Sequence, residues 1–567
     1  MNEESNTKPR KLLVIGLDGA PYPLIKAWAA DGTLPNLARL IANGSFGVLR
    51  STIPVHSPTA WASFITGLNP GKHGVFDFVR RDTDSYQLRY QRADQIAGAS
   101  VWHLLGQHGR QVGVMNVPMT YPPEQVNGFL ITGLGTPSYV TYTYPPELTE
   151  TLNQQGYRVN KDAFYQPGQE DAWLADIYDT SERRARMTIQ LMREEAWDFF
   201  MMVFRNTDEI CHFFWRFMDE THPEHDPDAP GRFQTAIRDY YQRIDGWVGD
   251  ILAQAGADTN VIVMSDHGAG PLYKDVFLNE WLWQQGWLHF RETGKTEQAR
   301  HSLARRLGLT RKNISDTLTR LHLHRLEVLI KQALGDRIQV LPRDERPEFT
   351  TAIDWQRTQA YSFGYYGQIF INLQGREPEG IVSPGPAYET LRQEIARRLR
   401  ELVDPADGLP VVDDIFFKED LYHGPHLAEA PDILCLMRGL TYITRKGYEF
   451  AAERGVLFRA PYTHESGSHR LEGILIAAGP DIAPRQDLPE HPIHDLTPTI
   501  LHLMDCPVPT IMDGQVVTEM LTPAFQTAHP VRFSEEMGQR QAAEAAAWDE
   551  AAEAEITERL KSLGYLN

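Results

Sequence analysis

The chain has 567 residues, 42% of them hydrophobic and 10% aromatic, with twelve tryptophans, which excludes a disordered chain and allows a large core with more than one lobe. Its formal net charge of -20 argues against a stable nucleic-acid complex or nonspecific binding to anionic membranes, because both need net or clustered positive charge. Three cysteines, Cys211, Cys435 and Cys506, with no CxxC spacing, are too few for a disulfide framework and point to a reducing compartment.

Residues 11 to 17 read as a buried first strand. The basic residues ahead of LLVIGL look like the start of a signal peptide, but the apolar run is short, ends in Asp18 and lacks a cleavage site. No stretch approaches the ~18 apolar residues of a membrane span, so a soluble, cytoplasmic protein is expected. Asp18-Gly19 falls at the carboxyl end of that strand, where ligands gather in open α/β sheets; a plain Asp-Gly turn is the alternative. Residues 33 to 43 make a helix after Pro35.

The chain is then organised around STIPVHSPTAWASFITGLNPGKHGVFDF, residues 51 to 78. Pro58 suits a first helical position, and Trp61, Phe64 and Ile65 follow at roughly helical spacing. The Ser57 hydroxyl is thereby placed at a helix N-terminus, where free N–H groups favour an anion; an ordinary N-cap serine has the same look. A short strand is expected at 112 to 116. A helix at 180 to 196 runs into a buried strand, 198 to 204, followed at once by RNTDEICHFFW. An amphipathic helix spans 231 to 255, with Phe233, Ile237, Tyr240, Ile244, Trp247 and Ile251 on one face. Strand 260 to 264 leads into SDHGAGP. Strand, helix and strand in alternation indicate an α/β fold with a mostly parallel central sheet flanked by helices on both faces.

From about 272 to 345 the pattern turns helical. The 42 residues from 296 to 337 carry nine Lys/Arg against four Asp/Glu, a reversal of the overall charge that marks an inserted lobe, either a solvated helical pair or a lid that attracts anions. Residues 361 to 435 look like a small α/β cap. A core strand returns at 473 to 480 and a helix at 495 to 504, and an Ala/Glu-rich tail from about 534 suggests a surface helix. The expected division is 1–270 and 441–525 for the core, 271–350 for the helical insertion, 351–440 for the cap and 526–567 for the tail.

Four segments place metal-ligand residues beside predicted strands: Asp18; Asp208 with His212; Asp266 with His267; and His469, in ESGSHRLEG just before the 473 strand. Each alone is a common turn or a satisfied buried histidine. Together they supply three Asp and three His at one sheet edge, enough for two ions with mixed nitrogen and oxygen ligands, a set that suits zinc, and also manganese or iron. Two such ions would clamp both sides of an in-line displacement at phosphorus, and metal coordination can activate a hydroxyl such as that of Ser57.

The ordered set VIGLDG, SPTAWASFITGLNPGKHG, TDEICH, MSDHGAGP and SGSHRLEGILIAAGP resembles the alkaline phosphatase superfamily, and within it the type I phosphodiesterase and nucleotide pyrophosphatase branch. The resemblance spans about 11 to 270 and 355 to 515, and the family's TGL-P-x-x-HG signature in ITGLNPGKHGV sets the register that puts Ser57 at the nucleophile position. It implies that Asp18, Ser57, Asp266 and His267 surround one metal and Asp208, His212 and His469 the other. It also implies a phosphoserine intermediate and, as substrate, a small phosphate ester such as a nucleotide. Two positions depart from the pattern. Ala60 stands where well-studied relatives carry an asparagine that helps hold a phosphate oxygen, and Glu209 stands where many bacterial relatives have Arg, making that corner more acidic. His56, Arg205 and Asn116 are further candidates for the site, and His464 competes with His469. The alternatives on the same fold are a phosphomonoesterase or mutase-like phosphotransferase, a sulfatase, and an inactive binding protein. SPTAW lacks the C/S-x-P-x-R pattern of a sulfatase. The sequence leaves the oligomeric state open.

Overall fold

The computed structural model describes residues 10–82, 85–138, 140–291, 352–444, 455–461, 464–536, 553 and 555–557. The helical reading of 296 to 337 and most of the Ala/Glu-rich tail lie outside the described residues.

The core is a nine-stranded sheet in the order Arg485–Pro492, Ser45–Arg50, Glu472–Ala478, Thr259–Met264, Lys11–Leu17, Phe199–Phe204, Val112–Val117, Gly128–Thr132, Thr143–Tyr144. The five strands from Thr259–Met264 to Gly128–Thr132 are mutually parallel. Their sequences, such as FFMMVF and TNVIVM, are buried along their whole length, as expected for strands covered on both faces. Two large apolar clusters account for this. One contains Leu13, Ile15, Phe200 and Met202 with helix residues Ile237, Ile244 and Ile251; the other contains Leu12, Val14, Met201 and Val203 with Trp61, Phe64 and Ile500. Alternate side chains of one strand therefore serve opposite faces.

The sequence placed the main elements and set some of their ends differently. The helix expected at 180 to 196 is Glu170–Glu194, and the one expected at 231 to 255 is split into Gly231–Gln234 and Ala236–Ala255. Strands Ser45–Arg50, Gly128–Thr132 and Arg485–Pro492 were not foreseen; the last is polar and lies at the sheet edge.

Strand Glu472–Ala478 runs antiparallel to both its neighbours. The residues before it consequently emerge at the same edge as the residues after the parallel strands. There Gly467–Arg470 pairs antiparallel with Gly268–Pro271, with His469 opposite Ala269. Strand Ser45–Arg50 points the same way as Thr259–Met264 and delivers residues 51 to 57 to that edge.

A second sheet, in the order Ala360–Ser362, Gln368–Ile371, Ile433–Met437, Val412–Phe417, is entirely antiparallel. Helix Pro386–Arg400 buries Tyr388, Ile395 and Leu399 in the cluster that also holds Ile371 and Ile433. No helix among the described residues is long and apolar enough to cross a membrane.

Candidate active site

Asp18 follows the first strand directly, and Asp266 lies two residues after Met264. Asp208 and His212 sit one turn apart in helix Asn206–Met218, just after strand Phe199–Phe204. Ser57 is the first residue of helix Ser57–Thr66, with His56 at the N-cap and Pro58 behind it. All seven residues, Asp18, Ser57, Asp208, His212, Asp266, His267 and His469, are buried, and the structure brings them together.

Ser57 Oγ lies 3.0 Å from His267 Nε2. His267 Nε2 is 3.3 Å from Asp266 Oδ2 and 3.8 Å from Asp18 Oδ1. On the other side, Asp208 Oδ2 is 3.1 Å from His212 Nε2, and Asp208 Oδ1 is 3.7 Å from His469 Nε2. The His267 and His469 rings stack with centroids 3.6 Å apart, which joins the two groups into one centre.

The three imidazoles share a backbone device. Nδ1 of His212 is 2.9 Å from Gly467 O, that of His267 is 2.9 Å from Gly268 O, and that of His469 is 2.8 Å from Val55 O. A carbonyl only accepts, so each Nδ1 carries the hydrogen and donates it, and each Nε2 is turned inward. Nε2 of His212 and His469 then face one another at 3.1 Å, a contact that needs a proton or a metal ion between them.

The charges give the same picture. Burial, and then the neighbouring carboxylates of Asp266 and Asp208, push Asp18 well above the usual carboxylate range. Burial also raises Asp266, with Asp208 adding to it. Burial works against charge on Asp208 too, but the His212 and His469 imidazoles outweigh it and hold that group well below its ordinary value. Burial disfavours the His212 imidazolium, yet Asp208 prevails and raises it to about 9. Burial and the adjacent His267 drive His469 well down. Asp18 Oδ1 and Asp266 Oδ2 are buried without a hydrogen-bond partner.

Two sets of three atoms lie within 4.8 Å of one another, one from Asp18, Asp266 and His267 and one from Asp208, His267 and His469. Inward-turned imidazole nitrogens with buried, unsatisfied carboxylate oxygens fit divalent cations of the zinc, manganese or iron kind.

The family described as type I phosphodiesterase / nucleotide pyrophosphatase matches residues 12–359. The chain belongs to this family. It is thus a phosphoric ester hydrolase of a metal-dependent family, the one that its motifs resemble. No curated protein matches the chain. Among solved structures, human ectonucleotide pyrophosphatase/phosphodiesterase 5 has a TM-score of 0.48 at 12% identity, over 90% of this chain and 100% of that one. The same values hold for an inactive form of the murine protein in complex with AMP. Phosphonoacetate hydrolase from Sinorhizobium meliloti 1021, in complex with phosphonoformate, has a TM-score of 0.48 at 14% identity, over 86% of this chain and 94% of that one.

Several residues that sequence reasoning did not assign to the site shape this family member's centre. Trp61, one helical turn after Ser57, donates its indole N–H to Asp18 Oδ2 at 3.3 Å, and the Gly19 N–H donates to Asp266 Oδ1 at 3.2 Å. Gly19 has φ +65°, and a Cβ there would lie 2.5 Å from Asp208 Oδ1, so the position tolerates only glycine. Tyr366, from the smaller sheet's first turn, stacks on His469 at 5.5 Å with its hydroxyl 3.3 Å from Ser468 Oγ. Trp61 was legible as a helical repeat from Ser57; the tyrosine comes from a segment about a hundred residues from its partner and has no local signal.

The remaining candidates differ in position. His56 is buried beside Phe78, Tyr365 and Tyr366, with its ring 6.1 Å from that of His469. Asn116 accepts from the Tyr157 hydroxyl. His464 is exposed, whereas His469 faces the centre. Glu209 corrects the expectation of a more acidic corner: it is buried between Arg205 and Lys161, the latter 3.6 Å away, so its charge is more than matched.

Proposed function

We propose that the protein hydrolyses phosphodiester or pyrophosphate bonds through a phosphoserine on Ser57. Two divalent ions, zinc first with manganese or iron as alternatives, would be held by Asp18, Ser57, Asp266 and His267 and by Asp208, His212 and His469. Bound there, such ions supply Lewis acidity that makes the serine hydroxyl more acidic and offsets charge on phosphoryl oxygens. The observation that carries the reading is the position of Ser57 Oγ, at a helix N-terminus and 3.0 Å from His267 Nε2.

Ser57 Oγ attacks phosphorus, the bond from phosphorus to the leaving oxygen breaks, and water then cleaves the phosphoserine, returning the hydroxyl. Pro58 has no N–H and the Ala60 N–H donates to His56 O at 3.0 Å, which leaves the N–H groups of Ser57 and Thr59 at this helix start for a phosphoryl oxygen, where Ala60 offers no side-chain amide. The family name makes nucleotide esters the first substrates to try.

The test is a panel of aryl monoester, aryl diester and nucleotide diester substrates, run after reconstitution with zinc and with manganese. Metal-dependent hydrolysis is expected to fall on the order of 10³-fold or more in Ser57→Ala, with bound metal retained to within one ion. Near wild-type turnover by that variant would sink the assignment.

A further inference from the structure

One of the buried carboxylates outside the candidate metal centre lines a cavity. Glu124, on the loop between strands Val112–Val117 and Gly128–Thr132, is 7% exposed. Its Oε2 accepts from Ser100 Oγ at 2.8 Å and from Trp102 Nε1 at 2.9 Å. Its Oε1 is buried with no hydrogen-bond partner, and His103 Nδ1 stands 3.4 Å from it.

Glu124 lines a cavity of about 80 Å3 walled by Ala93, Trp102, Met119, Pro122 and Leu130, with Thr120 and Asp94 completing it. The two other polar groups are already engaged. The Thr120 hydroxyl donates to Val117 O and accepts from Gly133 N. Asp94 is exposed and holds Arg92 Nε at 2.9 Å. Glu124 Oε1 makes no hydrogen bond, and His103 Nδ1 meets its charge only when that imidazole is protonated, so Oε1 is the lining side-chain atom that an occupant can satisfy.

The walls select the kind of occupant. A hard divalent ion takes about six oxygen ligands, and this lining is mostly apolar. A bare anion is repelled by two carboxylates. An organic cation matches both features: its charge meets Glu124 Oε1, and its carbon skirt meets Leu130, Met119 and Trp102. The volume is several times the roughly 10–15 Å3 that one water requires by this measure, room for a group of a few heavy atoms.

We propose that this cavity is a binding site for a small alkylammonium ion, a primary amine or its N-methylated form, with Glu124 as its counter-charge. None of the residues around it faces the metal centre, so the proposal stands independently of the phosphoserine reading.

The experiment is a thermal shift and calorimetric titration of the full chain with methylammonium chloride at about pH 8, where an alkylammonium is charged. Methanol and sodium chloride of equal ionic strength are the controls. The expected result is a saturable rise in melting temperature of roughly one to three degrees at a hundredfold excess over Kd, absent in both controls. Glu124→Gln keeps an acceptor for Ser100 and Trp102 but removes the charge, and is expected to weaken binding at least tenfold. Ala93→Leu fills the cavity with the carboxylate intact and is expected to abolish it. Should Ala93→Leu fail to fold, Glu124→Gln and the methanol arm still decide. No shift in the wild type, equal binding by Glu124→Gln, or an equal shift with methanol overturns the proposal and leaves a hydrated cavity.

Discussion

Asp208 and Glu209 occupy successive positions in the first turn of one helix and meet different partners. Asp208 faces the imidazoles, while Glu209 is buried between Arg205 and Lys161. Lys161 Nζ is almost wholly buried, and burial lowers its pKa, so its charge depends on Glu209. Glu209→Gln keeps the shape and removes the carboxylate that sits between two buried cations, a change that costs about 3–5 kcal/mol in comparable buried pairs. Urea unfolding should show that loss, with zinc content unchanged. Adding Lys161→Met should recover part of it, and strict additivity of the two variants would refute the pairing. Arg205, four residues before Glu209, was within reach of helical spacing. Lys161 lies 48 positions away in sequence, and nothing local announced it, which is why the corner read as acidic.

At the level of elements, the sequence was most informative where a strand's own composition carries the signal. Apolar runs followed closely by Asp or Asp-His made the parallel strands legible, and with them the edge where these residues gather. His469 was found as a residue before a strand, but the reason it reaches the same edge is the antiparallel direction of Glu472–Ala478, which a lone sequence does not reveal. The smaller sheet depends on another long-range feature. Asp432 is fully buried and accepts from Arg376 at 2.6 and 2.7 Å, Lys418 at 2.9 Å, Tyr388 at 2.6 Å and the Ile371 N–H at 2.7 Å. Burial works to raise its pKa, but Arg376 and Lys418 outweigh it and hold the group well below its ordinary value. A carboxylate depressed in the folded state contributes stability that is fully present above its unfolded value of about 3.9 and is lost as pH falls from there toward the folded value. Denaturant midpoints measured from pH 6 down to 2 should therefore fall below about pH 4. Asp432→Asn should be less stable at pH 6 by about 3–5 kcal/mol and lose less on acidification. An unchanged acid slope in the variant would assign the pH effect to other carboxylates.

Across the whole molecule the family match stops at residue 359, short of the segment that carries His469, and the fold closes that gap by pairing Gly467–Arg470 with Gly268–Pro271. The closed centre gathers three buried carboxylates, two of them raised by burial and mutual repulsion. Such a cluster strains the metal-free fold, and under the proposed function it would be relieved by cations that bind only the folded chain. Stability is then linked to metal by mass action, about 4 kcal/mol at a thousandfold excess over Kd. Protein stripped by a chelator should melt lower than the zinc-loaded form, and the melting temperature should rise with the logarithm of free zinc after saturation begins. Asp266→Asn removes one of the two raised carboxylates. It should therefore melt higher than the stripped wild type while responding less to zinc, a crossing of the two curves that general destabilisation cannot produce. Asp432→Asn, whose lesion lies in the smaller sheet, should shift both forms downward by the same amount. Parallel zinc curves for wild type and Asp266→Asn would show that the carboxylate cluster does not hold the metal.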